Sequence, residues 1–180
     1  MNLTPEEKLK LSEILQGKEI KPISRPSMDE TFLKVAKALA ERSACLRRGY
    51  GAVAVDPKTN TMITSGYNGG YRKGVNCCDI GYCARVELNI PHGTRYESCR
   101  STIHAEMNVC QHAKSSDLKD SVLYLYGIDK QTGLPVEDVC PCELCGNMLR
   151  NAFVSEIRFY KDGEIRSKHL DTLLCGRDGT

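Results

Sequence analysis

The architecture of the chain is set by the stretch TIHAEMNVCQHAKSSDLKDSVLYLYGIDKQTGLPVEDVCPCELC, residues 102–145. A helical pattern begins at Thr102, and its spacing predicts that three side chains face the core: Ala105, Val109 and Cys110. A buried strand, Val122 to Ile128, follows, and a polar loop over residues 129–139 leads to a helix that begins at Pro141. Helices and strands therefore alternate, which predicts a layered α/β fold with partly parallel strand pairing.

Elements outside this stretch follow from the same kinds of pattern. Ser27-Met28-Asp29-Glu30 is a capping box at the start of an amphipathic helix. Two strands, Tyr50 to Val55 and Thr61 to Tyr67, are joined as a hairpin. Glu156 to Tyr160 is a further strand, and the tail predicts a short last helix around Leu170, Leu173 and Leu174.

The N-terminal region differs in character from the rest. A short helix begins at Thr4-Pro5. Residues 17–26 contain Gly17, Pro22 and Pro26 and are typical of a linker. We therefore expect an N-terminal helical extension and linker over residues 1–26 and one main domain over residues 27–180.

Composition excludes several function classes. The chain is 41% hydrophobic and 27% charged, which is ordinary for a globular protein. Its formal charge of +2 includes no polybasic stripe, so long nucleic acids are not expected partners. The acidic N-terminus lacks a signal-peptide core and no apolar run has membrane-spanning length, which predicts a cytoplasmic protein without membrane contact.

The ten cysteines are many for a chain of this length. In a reducing compartment, cysteines at close spacing are more often metal ligands than disulfide partners. We therefore expect some of these thiols to bind metal and the remainder to be free.

A histidine and two cysteines form the strongest candidate metal site. His104, Cys142 and Cys145 supply three zinc ligands, and three protein ligands leave the fourth tetrahedral position to water, as in catalytic zinc sites. Two thiolates and a neutral imidazole balance the charge of Zn²⁺. Glu106, two residues after the histidine, is then available to move protons.

The spacing also constrains the local geometry. Cys142 and Cys145 are three positions apart, so their sulfur atoms face the same way at the start of a helix. Positions i and i+2 of a helix point to opposite sides, so His104 must lie at the very beginning of its helix if Glu106 is to approach the metal. We expect two helix N-termini to converge on one zinc ion.

Two alternatives remain open for this site. In the first alternative, Glu106 is a fourth ligand of the zinc ion. In the second, Cys140 or another cysteine closes a structural Cys₃His shell, which would leave Glu106 without a role.

The paired motifs His104-Ala105-Glu106 and Pro141-Cys142-Glu143-Leu144-Cys145 match the general signature of zinc nucleobase deaminases. Several further segments narrow the resemblance to the deoxycytidylate (dCMP) deaminase family: Arg42–Arg47 before Gly51–Val53, Gly66–Gly69, Gly74–Asp79 and Arg100–Asn108. The resemblance covers about residues 28–160. It implies a three-layer α/β/α fold like that of cytidine deaminases, with a central mixed sheet of about five strands.

The resemblance also implies a reaction. Water activated by zinc attacks C4 of the cytosine ring of dCMP, and dUMP and ammonia are the products. Glu106 takes the proton of the water, delivers it to ring N3 and later helps to protonate the departing ammonia. In this family the product supplies thymidylate synthesis.

Three residues are implied as substrate contacts. Asn68 resembles the family's contact to the sugar hydroxyl, although an Asn-Gly turn residue is an equal interpretation. Arg47 and Arg100 are candidate phosphate partners, because a monophosphate favours bidentate charged donors. For each arginine the alternative is an ordinary solvated side chain.

Four cysteines resemble a second, structural zinc site found in part of this family: Cys45, Cys77, Cys83 and Cys99. Such a site would order the irregular stretch over residues 68–101. Cys78 is an equally placed substitute for Cys77, and free cysteines are the alternative to a metal site.

The chain departs from the family in two places. Residues 129–139 are longer than the family's connection and should pass close to the metal. Residues 69–74 lack the proline commonly found there. Tyr71, Arg72 and Lys73 in that segment resemble a loop that binds nucleoside triphosphate effectors, where dCTP activates and dTTP inhibits many relatives. The family picture then implies a homo-oligomer, usually a hexamer.

Two other functions compete with dCMP deamination. One keeps the chemistry and changes the substrate to dCTP, cytidine, guanine or a tRNA base. With no Trp and three Phe, the chain offers few stacking aromatics beyond its eight Tyr, which disfavours a nucleic-acid editor. The other is a non-catalytic, zinc-stabilised binding module, which predicts a closed metal shell and no turnover.

Overall fold

The computed structural model describes residues 3–16, 24–91, 94–100 and 102–172. The helices in these ranges are α1 (Pro5–Gln16), α2 (Met28–Glu41), α3 (Cys77–Ile80), α4 (Ala84–Glu87), α5 (Ala105–His112), α6 (Ser115–Leu118) and α7 (Glu143–Asn151). The strands are β1 (Arg48–Asp56), β2 (Thr61–Tyr67), β3 (Val122–Asp129), β4 (Pro135–Val136), β5 (Glu156–Lys161) and β6 (Glu164–His169).

These strands form one mixed sheet with the order β2-β1-β3-β5-β6, and the short β4 pairs with β3. β3 and β5 are parallel, whereas β1 is antiparallel to both β2 and β3, and β5 is antiparallel to β6. The crossover between the two parallel strands contains α7. The mixed sheet confirms the prediction of partly parallel pairing.

Alternation along the central strands creates two cores. Ala52 and Ala54 of β1 face the core that α5 and α7 cover, whereas Val53 and Val55 face the core that α2 covers. Successive side chains of a strand point to opposite faces, so one strand serves both cores. The three-layer α/β/α prediction is therefore confirmed.

The predicted capping box at the start of α2 is present. The Ser27 Oγ accepts a hydrogen bond from the Glu30 N–H at 3.2 Å, and the Glu30 carboxylate accepts one from the Ser27 N–H at 2.7 Å. The helix buries Phe32, Leu33 and Ala36 against the sheet.

Three local features differ from the sequence-based expectation. The polar strand β6 was not expected, because its outer-edge position gives it no hydrophobic alternation to detect. The loop over residues 129–139 contains the two-residue strand β4. The helix α7, which follows this loop, begins at Glu143 rather than Pro141, so that Cys142 is its N-cap.

Parts of the predicted terminal regions lie outside the described residues. These parts are residues 17–23 of the expected linker and the positions of Leu173 and Leu174. Leu170–Thr172 form a 3-10 turn with Leu170 fully buried. The helix α1 is present and none of its residues is buried. No helix in the described ranges is both long and apolar enough to cross a membrane.

Candidate active site

Two helix N-termini meet at one end of the α5–α7 layer. His104 precedes α5 in an extended conformation, with φ −78° and ψ 160°, and Cys142 precedes α7 with φ −65° and ψ 165°. Cys145 lies in the first turn of α7 and is fully buried. Because neither His104 nor Cys142 is inside a regular helix, both side chains can turn toward the gap between the two helices.

A glycine allows α5 to lie close to the sheet. A Cβ at Gly66 of β2 would come within 2.6 Å of the Ala105 carbonyl oxygen and 2.7 Å of the Asn108 Cβ. The Asn108 side chain, in turn, donates a hydrogen bond to the Tyr67 carbonyl oxygen at 2.8 Å. These contacts fix the start of α5, and with it His104 and Glu106, relative to β1 and β2.

The three predicted metal ligands lie at coordinating distances. The Nδ1 of His104 is 3.4 Å from the Cys145 Sγ and 3.6 Å from the Cys142 Sγ, and all three atoms lie within 4.8 Å of one another. A tetrahedral zinc ion with ordinary Zn–S and Zn–N bonds would hold a sulfur and a nitrogen about 3.6 Å apart. The donor types and their spacing therefore fit zinc.

The electrostatics of the two thiols favour a cation between them. A hydrogen bond from Cys145, together with the contact to His104, lowers the pKa of Cys142 to about 4. The same contact with Cys142, and burial, raise the pKa of Cys145. A cation between the two sulfur atoms would offset the repulsion of two thiolates, so this pair of thiols is suited to bind one.

Glu106 is the buried acid of the site. Only 6% of its surface is exposed, and burial raises the pKa of its carboxyl above the usual range. It lines the same cavity as His104 and Cys142. A carboxyl with a raised pKa next to a metal site is suited to accept and return a proton near neutral pH.

The cavity extends from this centre to a rim rich in arginine and cysteine. Its lining residues come from the segment before β1, the start of β1, the loop region after β2, the start of α5 and the segment before α7: Cys45, Arg47, Arg48, Tyr50, Asn68, Cys77, Cys83, Arg85, Cys99, His104, Glu106, Val139, Cys140 and Cys142. Three of these residues are arginines, Arg47, Arg48 and Arg85, which makes the cavity suitable for an anionic ligand.

Asn68 is buried, and its amide is bound to the backbone of β1. Its Oδ1 accepts a hydrogen bond from the Tyr50 N–H at 2.6 Å, and its Nδ2 donates to the Arg48 carbonyl oxygen at 3.0 Å. The side chain thus extends the pairing of β1 beyond the end of β2 and fixes Arg48 and Tyr50 at the cavity wall.

The two predicted phosphate partners have different environments. Arg47 lines the cavity, and its guanidinium donates a hydrogen bond to the Ile90 carbonyl oxygen at 3.0 Å. Arg100 is exposed and is not part of the cavity lining.

The four loop cysteines Cys45, Cys77, Cys83 and Cys99 all line this cavity. Within the part of the chain that the structure describes, however, the set His104, Cys142 and Cys145 is the one in which at least three potential ligand atoms lie within 4.8 Å of one another. Cys78 is exposed, and its thiol contacts the Asp79 carboxylate at 3.6 Å, which favours Cys77 over Cys78 as the inward cysteine.

The predicted effector segment borders a different depression. Tyr71, Arg72 and Lys73 line it together with Asn108 and His112 of α5. The guanidinium of Arg72 is 2.6 Å from the His112 Nε2, so this segment contacts the end of α5 opposite to the metal ligands.

Sequence reasoning missed several cavity residues. Arg48 and Tyr50 share the face of β1 that carries Ala52 and Ala54, so the two-residue period of the strand could have identified them. Arg85 is 6% exposed and donates to the carbonyl oxygens of Pro91 and Arg95 at 2.7 and 2.9 Å. No local pattern predicts that a single arginine in an irregular loop is buried.

The fold and the donor set place the chain in the class of zinc-binding deaminases. Within that class it belongs to the cytidine and deoxycytidylate deaminase family, because a family profile described as the "Cytidine and deoxycytidylate deaminase zinc-binding region" matches residues 26–161. The expected family membership is thereby confirmed.

Individual relatives agree with this placement. A deoxycytidylate deaminase of Schizosaccharomyces pombe is 29% identical over 93% of the chain and 46% of its own length. One of Saccharomyces cerevisiae is 31% identical over 78% of the chain and 39% of its length. One of Mycobacterium phage D29 is 29% identical over 78% of the chain and 99% of its length. The chain thus spans less than half of the yeast relatives and nearly all of the phage relative.

The chain is also similar to the solved structure of the dCMP deaminase from cyanophage S-TIM5 in complex with dCMP and dUMP. It is 19% identical to this chain, with a TM-score of 0.48, and the match covers 78% of this chain and 88% of that one.

Proposed function

We propose that the protein hydrolyses dCMP to dUMP and ammonia, with His104, Cys142 and Cys145 as zinc ligands and Glu106 as the proton-transferring residue. The observation that carries this proposal is the position of Glu106, which is buried in the same cavity as the donor set. A purely structural zinc site would have no use for a buried carboxyl beside it.

The metal and Glu106 have separate roles in the proposed reaction. Zinc held by His104, Cys142 and Cys145 would act as a Lewis acid and make water nucleophilic near neutral pH. Glu106 accepts the proton of that water, transfers it to ring N3 and then assists the departure of ammonia. Its buried position keeps the proton away from bulk solvent between these steps.

The arginine-rich rim supports a nucleotide rather than a nucleoside as substrate. Arg47 and Arg48 line the cavity on the β1 side, and a guanidinium offers two parallel donors to a phosphate. We assign the 5′-phosphate of dCMP to this rim, with Arg47 as its principal partner. Asn68 acts by holding the backbone of Arg48 and Tyr50, and we assign its remaining amide hydrogen as the donor to a sugar hydroxyl.

The experiment that tests this proposal compares substrates in the wild-type protein and in two arginine variants. Ammonia release is measured with dCMP, dCTP, cytidine and deoxycytidine, and we expect dCMP to have the highest kcat/KM. Arg47→Gln should raise the KM for dCMP about tenfold or more, because a charge-assisted hydrogen bond is lost, and should change turnover of deoxycytidine little.

Arg100→Gln is the matched control, because Arg100 is exposed outside the cavity. It should leave both substrates unaffected. If deoxycytidine is the best substrate of the wild-type protein, or if Arg100→Gln raises the KM as much as Arg47→Gln, the phosphate assignment fails.

We propose in addition that Cys45, Cys77, Cys83 and Cys99 bind a second zinc ion, after a small movement that brings their sulfur atoms together. Their shared position along one cavity supports this. Thiolates gathered by a metal would also give order to a loop region that is built from four-residue helices and turns.

Metal analysis of the purified protein should therefore give about two zinc ions per chain. Cys83→Ser should lower this value by about one, because it removes a buried thiol of the second set, whereas Cys78→Ser should leave it unchanged, because Cys78 is exposed. One zinc ion per chain in the wild-type protein would exclude the second site.

We propose that the segment Tyr71-Arg72-Lys73 binds dCTP and dTTP, and that the working form is then a homo-oligomer, such as a hexamer, as the family resemblance implies. Two cationic side chains beside the end of α5 are suited to a triphosphate. The same ammonia assay with added dCTP or dTTP, together with sedimentation analysis, tests this. An unchanged rate with both nucleotides and a monomeric protein would reject it.

A further inference from the structure

The segment over residues 129–139 is bound to the rest of the molecule at both ends. At its start, the Lys130 N–H donates to the Arg47 carbonyl oxygen at 2.8 Å. In its middle, Val136 of β4 pairs with Gly127 of β3. The segment therefore contacts the residue that we assign to the substrate phosphate, pairs with β3 and then leads along the chain to Cys142.

At its end, the segment is tied to the β5–β6 hairpin through Asp138. The Asp138 carboxylate accepts hydrogen bonds from Lys168 Nζ at 2.8 Å and Lys161 Nζ at 3.0 Å, and the Asp138 N–H donates to the Tyr160 carbonyl oxygen at 3.2 Å. Next to it, the Glu137 carboxylate accepts from the Asp162 N–H at 3.0 Å. Several bonds thus converge on two consecutive residues.

The backbone of Asp138 is also in an unusual conformation. Its φ of 52° lies in the left-handed region, which aspartate and asparagine tolerate better than most residues. The chain turns sharply here, and the next residues enter the active site. Both carboxylate oxygens of Asp138 accept hydrogen bonds, one from Lys161 and one from Lys168. These bonds hold the turn in place, because they oppose relaxation of the backbone.

The residues that follow form a wall of the catalytic cavity. Val139 is 5% exposed and belongs to the α5–α7 core, and Cys140 is exposed within the cavity lining. Pro141 is fully buried, and Cys142 is the first cysteine of the donor set. The wall therefore lies between the Asp138 anchor and the metal centre.

We propose that Asp138 is a positioning residue that holds the Val139–Cys140 wall against the substrate through its bonds to Lys161 and Lys168 on the β5–β6 hairpin. This inference rests on the proposed function, because it identifies what this wall does for dCMP binding. Cys142 is the N-cap of α7, and its carbonyl oxygen accepts a hydrogen bond from the Gly146 N–H at 2.8 Å, so we expect the anchor to act on the substrate side of the cavity rather than on the metal.

The charges around the anchor are consistent with this role. Hydrogen bonds from Lys168 and Lys161 keep the pKa of Asp138 below its usual range, so the carboxylate is ionised at neutral pH. Arg166 and Glu164, on the same hairpin, pair with each other at 2.6 Å and do not take part in the anchor. That second pair is more exposed and provides a matched control.

The test is Asp138→Asn, which keeps a side chain suited to the left-handed turn and removes the charge. We expect the KM for dCMP to rise about tenfold, because a displaced wall misplaces the bound nucleotide, while kcat changes less than threefold and the zinc content is unchanged. Hydrogen exchange should become faster in a peptide covering residues 134–140. Lys161→Met should produce the same changes to a smaller degree, and should add little when combined with Asp138→Asn.

Glu164→Gln, which breaks the neighbouring ion pair, should change neither KM nor exchange. If Asp138 served stability alone, Asp138→Asn would lower the melting temperature and the amount of active protein, and therefore the apparent kcat, while the KM for dCMP stayed constant. That result overturns the proposal. Unchanged exchange at residues 134–140 in both Asp138→Asn and Lys161→Met overturns it as well. If the wild-type protein does not turn over dCMP, the proposed function fails, and the exchange data alone decide whether Asp138 anchors the wall.

Discussion

Glu106→Gln should lower the turnover of dCMP by about 10³-fold and leave zinc bound. The size of this effect follows from the contribution of a positioned general acid–base, which is about 10²- to 10⁴-fold. Glutamine has nearly the same shape as glutamate, so it can occupy the buried site without a cavity. It cannot accept a proton from water, and it cannot return one to the pyrimidine ring.

The structure explains why no other residue should replace Glu106. Glu106 lies in the first turn of α5 with 6% of its surface exposed, and it lines the cavity beside His104 and Cys142. The remaining ionisable side chains of the lining are arginines, cysteines and Tyr50. Burial raises the pKa of Tyr50 above its usual value, so it is a poor base at neutral pH.

A matched control is available in the same part of the fold. Glu143 is the first residue of α7, directly after Cys142, but it is exposed and outside the cavity. Glu143→Gln should retain the turnover of the wild-type protein. Near-normal turnover of Glu106→Gln would remove this residue from the mechanism, and loss of zinc from that variant would indicate that Glu106 is a ligand instead. The measurements are single-turnover rates with dCMP and zinc content by metal analysis.

Much of the fold could be predicted because its determinants are local. The capping box at Ser27 and Glu30, the alternation along β1 and the apolar run of β3 each depend on residues close together in sequence. The strands β4 and β6 are harder to predict. The strand β6 is polar on most positions, and β4 has two residues, so neither carries a periodicity that reveals it. Both exist because a neighbouring strand supplies hydrogen bonds.

The residues of the candidate site likewise fall into those that the sequence predicts and those that it does not. His104, Cys142 and Cys145 could be named in advance because metal ligation requires particular residue types at particular spacings. Arg85 reaches the cavity through the tertiary fold, and the sequence contains many other arginines that do not line it. For Asn68, the sequence left sugar contact and turn residue equally open, and the structure shows an amide bonded to the backbone of β1.

Cys145→Ser should weaken zinc binding by at least about 100-fold, since the binding free energy of a zinc site, about 10–16 kcal/mol, is shared by about four ligands. Cys145 is fully buried, and it lies between α5 and α7 with its sulfur 3.4 Å from the His104 Nδ1. A serine oxygen in that position is a weaker ligand for zinc and is too short to replace the sulfur. Turnover of dCMP should be lost together with the metal.

Zinc binding should also stabilise the fold, because the metal joins the N-termini of two helices that cover the same face of the sheet. A ligand that binds only the folded state contributes stability in proportion to the logarithm of its affinity, so a 100-fold weaker site removes about 2.7 kcal/mol. For a chain of this size, that corresponds to a melting temperature lower by about 8 °C. Differential scanning calorimetry with and without added zinc measures the effect.

Cys110→Ser is the control for this variant. Cys110 is a half-buried thiol on α5 that packs against the same core, and it is not one of the three donors. Its replacement makes the same sulfur-to-oxygen exchange beside the same core, at a position that is not one of the three donors. If Cys110→Ser loses as much zinc-dependent stability as Cys145→Ser, the difference does not come from coordination. If Cys145→Ser retains the zinc-induced rise in melting temperature, the metal is not what holds the two helix N-termini together.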